Sequence, residues 1–373
     1  MIILSKLRTF FKREAVLTIA AILAVYSCFL IPPDKGYLAY IDEHTLILLF
    51  SLMAVMAAMK ELGLFQFIGQ RLLKTVKSER GLVVILVFLC FFSSMIVTND
   101  VALITFIPFG ILVLRLAGME HVLCLVITLM TIAANLGSML TPIGNPQNLF
   151  LYSASHISIG SFFHITIPYT LLSAAMLAGA ILFTSRQKEI SPCMLKEEIH
   201  LHKRKLIYYL GLFALCLLSV AGLLNVKWLF VIILAAVFID NKGLLLKIDY
   251  SLLATFLFFF IFIGNMGRLP AFQEFIIKIV QGHERLVAIG ISQVISNVPA
   301  ALLLSGFTLQ WRELIIGTNL GGLGTLIASM ASLISYKQIA VQYPDKKNRY
   351  LLIFTAWNLV FLVFIYSISN LIM

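Results

Sequence analysis

The stretch NLGSMLTPIGNPQN, residues 135–148, interrupts an apolar run that covers 122–151. It carries three asparagines and two prolines but no charge. A helix cannot pass undisturbed through Pro142 and Pro146, because proline lacks an N–H and clashes with the preceding turn. Lipid cannot satisfy bare backbone groups, so such a break must be buried in protein or line a wet cavity. We therefore predict a broken transmembrane helix over about 122–151.

A shorter polar stretch, NLGGLGTLIAS at residues 319–329, resembles the first one. Both begin Asn-Leu-Gly, and both place a threonine, Thr141 or Thr325, six residues after the asparagine. This second stretch predicts another broken helix over about 314–334. Two broken helices at corresponding points of a membrane protein are the best sequence-based indication of a transporter binding site.

The composition is that of a membrane protein. The 373 residues are 61% hydrophobic and 12% charged, with a mean hydropathy of +1.00. These values predict an all-α polytopic membrane protein. The five cysteines are scattered and four lie in apolar runs, so we interpret them as small buried hydrophobes rather than disulfides or metal ligands.

Apolar runs, amphipathic segments and polar tips recur in one order along the chain: span, span, amphipathic helix, hairpin, broken helix, span. Spans are predicted over 16–31, 45–59, 166–184, 206–224, 228–239, 251–264 and 350–373. The amphipathic segments 61–77 and 270–284 predict interfacial arm helices. Apolar pairs with polar tips at about 82–116 and 286–311 predict re-entrant hairpins, because their half-segments have about 14–16 residues where about 20 would span.

This order predicts two inverted repeats. The N-terminal repeat covers 1–184, a cytoplasmic loop and linking helix cover 185–227, and the C-terminal repeat covers 228–373. The linking helix adds one crossing, so the second copy enters the membrane from the opposite side.

The distribution of basic residues predicts the orientation. With the N-terminus in the cytoplasm and both hairpins re-entrant, 22 of the 28 lysines and arginines lie inside. We therefore expect a multi-pass protein of a bacterial inner membrane with its C-terminus outside. This inside bias accounts for the net charge of +11, and no nucleic-acid partner is expected.

Asp100 is the only acidic residue that we place at membrane depth. A charged aspartate there costs about 2.5–3.5 kcal/mol on insertion scales, so such residues usually face a site or cavity. Asp100 is therefore a candidate cation or proton site. The alternatives are a tip that reaches water, or a carboxylate that caps the helix starting at Val101.

The other candidate residues lie at the hairpin tips and the helix breaks. Amides and hydroxyls at the tips can bond a ligand or simply close the turn, and unwound carbonyls at the breaks can bind a small cation. The glycines have a simpler alternative role, which is to permit close helix packing. The candidates are Thr98, Asn99, Asn135, Ser138, Thr141, Gly144, Asn145, Ser296, Asn297, Asn319, Gly321 and Thr325. We expect no cofactor and no metal except a possible sodium at Asn99, Asn297 and the breaks.

Four motifs resemble the ion-transporter superfamily: VTNDVALITFIPF (97–109), ANLGSMLTPIGNPQNL (134–149), QVISNVPAALLL (293–304) and NLGGLGTLIAS (319–329). That superfamily includes arsenical efflux permeases, citrate and dicarboxylate–sodium symporters and D-type sodium–proton antiporters. The chain looks most similar to short bacterial inner-membrane anion permeases. The resemblance implies two inverted repeats, a transport domain that moves against a scaffold held by the arm helices, and often a homodimer.

The resemblance also bears on the substrate. The carboxylate-transporting branch carries Ser-Asn-Thr at each hairpin tip, whereas this chain has Thr98-Asn99-Asp100 and Ser296-Asn297-Val298. The Thr-Asn-Asp tip is more similar to the arsenical permease branch, which favours a small inorganic anion or a metalloid over a dicarboxylate.

The sequence therefore predicts a secondary active transporter of a small anion, coupled to sodium or protons through an elevator-type movement. The alternatives are an arsenite or antimonite efflux permease with a separate energising subunit, a sodium–proton antiporter that uses Asp100, and a passive channel. A membrane-embedded enzyme is disfavoured, because no metal-ligand motif or pair of catalytic carboxylates lies within the spans.

Overall fold

A computed structural model describes residues 14–74, 76–185, 187–189, 201–369 and 371. Within these ranges the chain is helical apart from turns and one isolated bridge between Ser78 and Glu189. The helices are α1 (Ala15–Leu30), α2 (Glu43–Glu61), α3 (Leu64–Leu73), α4 (Glu79–Ser93), α5 (Asn99–Leu116), α6 (Leu123–Gly137), α7 (Pro146–Ser155), α8 (Ile159–Thr184), α9 (Lys203–Val220), α10 (Val226–Asn241), α11 (Tyr250–Met266), α12 (Pro270–Val280), α13 (Glu284–Ile295), α14 (Asn297–Ser305), α15 (Trp311–Leu320), α16 (Met330–Gln342) and α17 (Lys347–Ser369). A short helix at Tyr37–Tyr40 and 3-10 turns at Ser138–Leu140, Lys242–Lys247 and Pro344–Lys346 complete the described secondary structure.

The helices have the lengths and compositions of a polytopic membrane protein. Six segments of the described chain are long and apolar enough to cross a membrane, or seven if the bent pair α11–α12 forms one span. They are Glu43–Glu61, Asn99–Leu116, Leu123–Leu140, Ile159–Thr184, Val226–Lys247 and Pro344–Ser369. The shorter apolar α1 corresponds to the predicted first span.

Both predicted helix breaks are present. The first half-helix, α6, ends at Gly137, and after the 3-10 turn and an irregular segment α7 begins at Pro146. Asn145 caps α7, because its side chain accepts a hydrogen bond from the backbone N–H of Asn148, and proline suits the first helical position. The second break separates α15 from α16, which continues to Gln342, beyond the predicted end at 334.

The hairpin arms differ in length from their prediction. In the first hairpin, α5 has 18 residues, because the helix already begins at Asn99 and continues to Leu116. Its length alone therefore no longer argues that this arm re-enters the membrane. In the second hairpin, α14 has nine residues, which is about 14 Å of helix and about half of a hydrocarbon core. Re-entrance of the hairpins stays a prediction.

The two amphipathic segments are helical over shorter ranges than predicted. The helix α3 is confined to Leu64–Leu73, because Gly63 adopts a left-handed conformation (φ 74°) and separates it from α2. The helix α12 bends away from α11 by 106°. Most of the predicted cytoplasmic loop 185–205, together with the basic N-terminal segment, lies outside the described residues.

The broken helices form the centre of the packing. The half-helix α6 is buried along almost its whole length. On either side, α4 packs against α6 and α13 packs against α15, while α5 meets α16 and α14 meets α7. Helix α1 packs against α11, and α2 packs against α9 and α10 and also contacts α7.

The α1–α11 pair is joined by polar contacts at one end. Arg268 Nη1 donates to Asp34 Oδ2 at 2.8 Å and to the Tyr40 hydroxyl at 3.1 Å. The hydrogen bond from Arg268 holds the pKa of Asp34, which lies in the loop after α1, below its ordinary value. These contacts fix the loop 31–40 over the end of α11.

Close packing between α4 and α6 depends on Gly137. A Cβ atom added there would lie 2.1 Å from the carbonyl oxygen of Phe91 and 2.7 Å from Ser94 Oγ. We expect Gly137→Ala to lower the free energy of unfolding by about 1–3 kcal/mol, as overpacking does elsewhere. Thermal unfolding in detergent measures the change.

The matched control for this substitution is Gly179→Ala in α8, where an added Cβ meets no atom of the described structure within 4 Å. Because alanine is the better helix former, this variant should be unchanged or more stable by up to about 1 kcal/mol. Equal melting temperatures for the two variants would contradict the close α4–α6 contact.

Candidate functional site

The two hairpin tips contact the two helix breaks through matching backbone hydrogen bonds. The N–H of Asn99 donates to the carbonyl of Gly144 at 3.0 Å. The N–H of Asn297 donates to the carbonyl of Ala328, also at 3.0 Å. Gly144 and Ala328 each lie two residues before the second half of their broken helix. Each tip is therefore held against the start of that second half.

The two predicted threonines make a second matching pair of contacts. Thr141 Oγ1 donates to the carbonyl of Met95 at 2.5 Å, and Thr325 Oγ1 donates to the carbonyl of Gln293 at 3.1 Å. Met95 and Gln293 each precede a tip asparagine by four residues. The threonines therefore fasten each break to a hairpin arm. Neither lines the cavity described below, and Thr325 is exposed.

Asn135 connects the first tip with the second broken helix. Its Oδ1 accepts from Asn99 Nδ2 at 3.0 Å and from Ser329 Oγ at 3.1 Å. Its Nδ2 faces Ser332 Oγ and the carbonyl of Gly322, both at 3.4 Å. All of these groups are buried, so this amide is bonded on both sides within the protein.

Asn319 makes the corresponding contacts with the first broken helix. Its Oδ1 accepts from Asn145 Nδ2 at 3.1 Å, and its Nδ2 donates to Asn148 Oδ1 at 2.6 Å. Asn145 also donates to Ser138 Oγ at 3.0 Å, and Ser138 Oγ donates to the carbonyl of Asn135 at 2.9 Å. One buried network of neutral side chains thus joins both breaks.

Ser296 gives the second hairpin tip a strained backbone. Its φ of 77° and ψ of 156° fall in a region that only glycine adopts readily. Thr98 occupies the corresponding position of the first tip with an ordinary extended conformation (φ −63°, ψ 151°) and caps α5. The two tips therefore differ in backbone conformation, although their asparagines make the same backbone contact.

A cavity of about 480 Å³ lies beside this network. Thr98 and Asp100 from the first tip and Asn145 from the first break line it, together with apolar residues of α2, α5, α7 and α11. Further charged groups are Lys60, Glu61, Lys247 and Asp249. The N-termini of α5 and α7 therefore both border the cavity.

The charged groups of the cavity are partly paired. Lys247 Nζ lies 2.7 Å from Glu61 Oε2, and Asp249 caps α11 by accepting from the N–H of Leu252 at 2.9 Å. In contrast, Asp100 Oδ1 is buried and has no hydrogen-bond partner among the described residues. An unpaired buried carboxylate oxygen is costly, and the Asp100 side chain lines the cavity, so this carboxyl group indicates a place for a proton, a cation or a hydroxyl.

The structure thus brings most predicted site residues into one network, and it adds several that the sequence did not indicate. Gly144 and Gly321 contribute carbonyl oxygens, which accept from Asn99 N and Gln293 Nε2. The added residues are Lys60, Glu61, Asn148, Lys247, Asp249, Gln293, Ser329 and Ser332. Asn148 lies in the motif at 134–149 and Gln293 in the motif at 293–304, so the sequence could have indicated both amides as site residues. In the described residues, no three His, Cys, Asp or Glu side chains are grouped to hold a metal ion.

Comparison with known proteins identifies the class. A family model described as a citrate transporter matches residues 1–310, and the chain belongs to that family, within the ion-transporter superfamily that its motifs resemble. This makes it a multi-pass membrane transporter of the citrate and arsenical permease type, grouped with transporters rather than enzymes.

Individual relatives support this membership. An uncharacterized transporter of Methanocaldococcus jannaschii is 35% identical over 298 residues, which is 80% of this chain and 81% of the relative. The inner membrane protein YbiR of Escherichia coli is 32% identical over 311 residues, 81% of this chain and 82% of the relative. A silicon efflux transporter of Oryza sativa is 35% identical over 150 residues, 40% of this chain and 29% of the relative.

The strain at Ser296 can be tested by substitution with glycine. We expect Ser296→Gly to raise the melting temperature, because glycine relieves strain of about 1–3 kcal/mol. The matched control is Thr98→Gly, which removes a helix cap from an unstrained backbone and should lower stability by a few tenths of a kcal/mol or more. Thermal unfolding of both variants measures the difference, and destabilisation by Ser296→Gly would contradict the strained tip.

The contact between the two breaks can be tested with a double-mutant cycle. We expect Asn145→Ala and Asn319→Ala each to destabilise the protein, because each leaves a buried partner without its hydrogen bond. Their effects should be coupled by about 1 kcal/mol when combined. Strict additivity of the two unfolding free energies would show that these side chains do not interact.

Proposed function

We propose that this protein is a secondary active transporter that moves a small oxoacid, as its anion or its uncharged form, through the cavity at the first hairpin tip. The observation that carries the proposal is the composition of that cavity. It combines two helix N-termini, capped by Thr98 and Asn145, with the carboxylate of Asp100, whose Oδ1 atom has no hydrogen-bond partner among the described residues. Helix N-termini attract negatively charged oxygens, and a carboxylate accepts hydrogen bonds from hydroxyl groups.

The charges of the cavity favour a substrate of low charge. Three carboxylates, Glu61, Asp100 and Asp249, face two lysines, Lys60 and Lys247, and one lysine is already paired. Citrate carries three negative charges at neutral pH, which this set does not balance. A small hydroxylated weak acid such as silicic acid fits better, and one relative, from rice, is named a silicon efflux transporter.

The matching contacts support two inverted repeats. Asn99 to Gly144 corresponds to Asn297 to Ala328, and the two threonines make corresponding bonds to the hairpin arms. The packing corresponds as well: α5, the second arm of the first hairpin, packs on α16, the second half of the second broken helix. In the same way α14, the second arm of the second hairpin, packs on α7. We propose that the tips and breaks form a mobile transport domain and that α1, α2 and α9–α11 belong to the scaffold.

The distribution of basic residues supports one orientation in the membrane. With the N-terminus in the cytoplasm of a bacterial inner membrane, the end of α2 and the start of α11 face inward, and so does the cavity between them. We propose an inward-facing conformation, an elevator-type movement relative to the scaffold, and a homodimer whose scaffolds form the contact.

A second candidate function is cation–proton antiport with Asp100 as the ion-binding group. The specific observation in its favour is the same buried Oδ1 atom without a partner in the described chain. This function needs no anion, so substrate-dependent flux separates it from oxoacid transport.

Flux into proteoliposomes tests the proposed function. We expect saturable counterflow of one of phosphate, arsenite or silicic acid, but not of citrate. Asp100→Asn should reduce the coupled flux at least about tenfold, which corresponds to a loss of about 1.4 kcal/mol.

The matched control is Asp249→Asn, which lines the same cavity and keeps a side chain that can cap α11. It should retain most of the flux. The proposed function is wrong if no oxoacid shows counterflow, and Asp100 has no role in coupling if Asp100→Asn transports like the wild type. Sodium- or proton-driven cation flux without any oxoacid would establish the second candidate.

A further inference from the structure

The two helix breaks each contain an amide nitrogen surrounded by carbonyl oxygens. In the first break, Asn148 Nδ2 lies 3.4 Å from the carbonyl oxygen of Ser138, 3.2 Å from that of Met139 and 3.3 Å from that of Thr141. Asn148 is fully buried. Its side-chain NH2 group therefore occupies a cage of three carbonyls that the unwound segment leaves without helical partners.

The second break has a related arrangement, but the amide and one of the three carbonyls, that of Ile289, belong to α13, and only two of the carbonyls belong to the break. Gln293 Nε2 of α13 lies 3.1 Å from the carbonyl oxygen of Gly321, 2.9 Å from that of Leu323 and 3.2 Å from that of Ile289. Met95 occupies the corresponding position of the first hairpin, and its side chain has no amide group. The two halves therefore place an NH2 group in each cage by different routes.

The hydrogen-bond partners fix which end of each amide enters the cage. Asn148 Oδ1 accepts from Asn319 Nδ2, whose other partner is the carbonyl of Ile315 at 2.7 Å, so Asn319 Nδ2 must be the donor. Gln293 Oε1 accepts from the backbone N–H of Thr325 at 2.9 Å, and a backbone N–H can only donate. In both cases the nitrogen must face the carbonyls.

The loop of the second break is built closely around Gln293. Gly324 has a φ of 109°, and a Cβ atom added there would lie 2.2 Å from Gln293 Oε1. A side chain at this position would therefore displace the amide, so the loop conformation and the filled cage depend on each other.

Carbonyls of unwound helices and the C-terminal ends of half-helices are the groups that coordinate sodium in transporters with broken helices. We propose that Asn148 and Gln293 take the place of such cations: their NH2 groups fill both carbonyl cages, so this protein assembles its site and transports without sodium. This inference rests on the proposed transport function for its flux readout, but its stability readout does not need a substrate.

The first test is thermal unfolding of the purified full-length protein in sodium, lithium, potassium and choline chloride at equal ionic strength. The wild type should show the same melting temperature in sodium as in choline. A saturable rise that is specific to sodium or lithium would overturn the proposal, because it would show a cation site that the amides do not fill.

The second test converts each amide into a carboxylate of the same shape. Asn148→Asp and Gln293→Glu replace a donor by an acceptor beside three carbonyls, so each variant should be less stable in choline and regain several degrees of melting temperature in sodium. The control Gln342→Glu adds the same charge at the exposed end of α16 and should show no sodium effect. Carboxylate variants that fold but do not respond to sodium would contradict a cage that can hold a cation.

Flux measurements separate this inference from the proposed function. Transport by the wild type should be unchanged when choline replaces sodium, and a strict sodium requirement would overturn the inference while leaving oxoacid transport established. Absence of transport in every salt would instead refute the proposed function, and the melting temperatures would still decide the question of the cages. If neither carboxylate variant folds, the melting temperatures of the wild type in sodium and in choline decide whether the protein binds sodium.

Discussion

Every backbone polar group at membrane depth needs a partner, and the two helix breaks are where this requirement is hardest to meet. Their carbonyls are bonded by Asn148 and Gln293, and the backbone N–H groups of Asn99 and Asn297 are bonded by carbonyls of the breaks. The hairpins and the breaks therefore supply hydrogen-bond partners for each other's backbone groups. The buried network, the close α4–α6 packing and the position of the cavity all follow from this mutual satisfaction.

Because buried polar groups need partners, the side chains between the two breaks are neutral, and charged side chains lie at the cavity. Amides and hydroxyls join the breaks at the centre, while Lys60, Glu61, Lys247 and Asp249 border the cavity. Asp100 is the exception, because its Oδ1 atom is buried without a partner in the described chain. A carboxylate in that situation costs stability, and a structure retains such a group when it serves a ligand or a coupled ion.

Much of this arrangement could be predicted from the sequence because prolines and glycines interrupt helices wherever they occur in apolar runs. Pro142, Pro146 and the repeated Asn-Leu-Gly located both breaks correctly. The length of α5 could not be predicted, because Asn99 and Asp100 were interpreted as tip residues although Thr98 caps a helix that includes them. Contacts between the halves, such as Ser329 with Asn135, depend on distant residues and have no local signal. Lys60 and Lys247 have no local signal either, because their place at the cavity depends on how distant helices pack.

We propose that the cavity at the first hairpin tip is the substrate site and is open to one side of the membrane at a time. Labelling of a cysteine at Val101, which lines the cavity, tests it most directly in a background without native cysteines, with Val341→Cys at the exposed end of α16 as control. We predict that Val101→Cys reacts with a membrane-impermeant thiol reagent from one side only and that a transported oxoacid slows the reaction, while the control is insensitive to substrate. Equal labelling from both sides, or labelling at Val101→Cys that no transported substrate alters, would contradict the account.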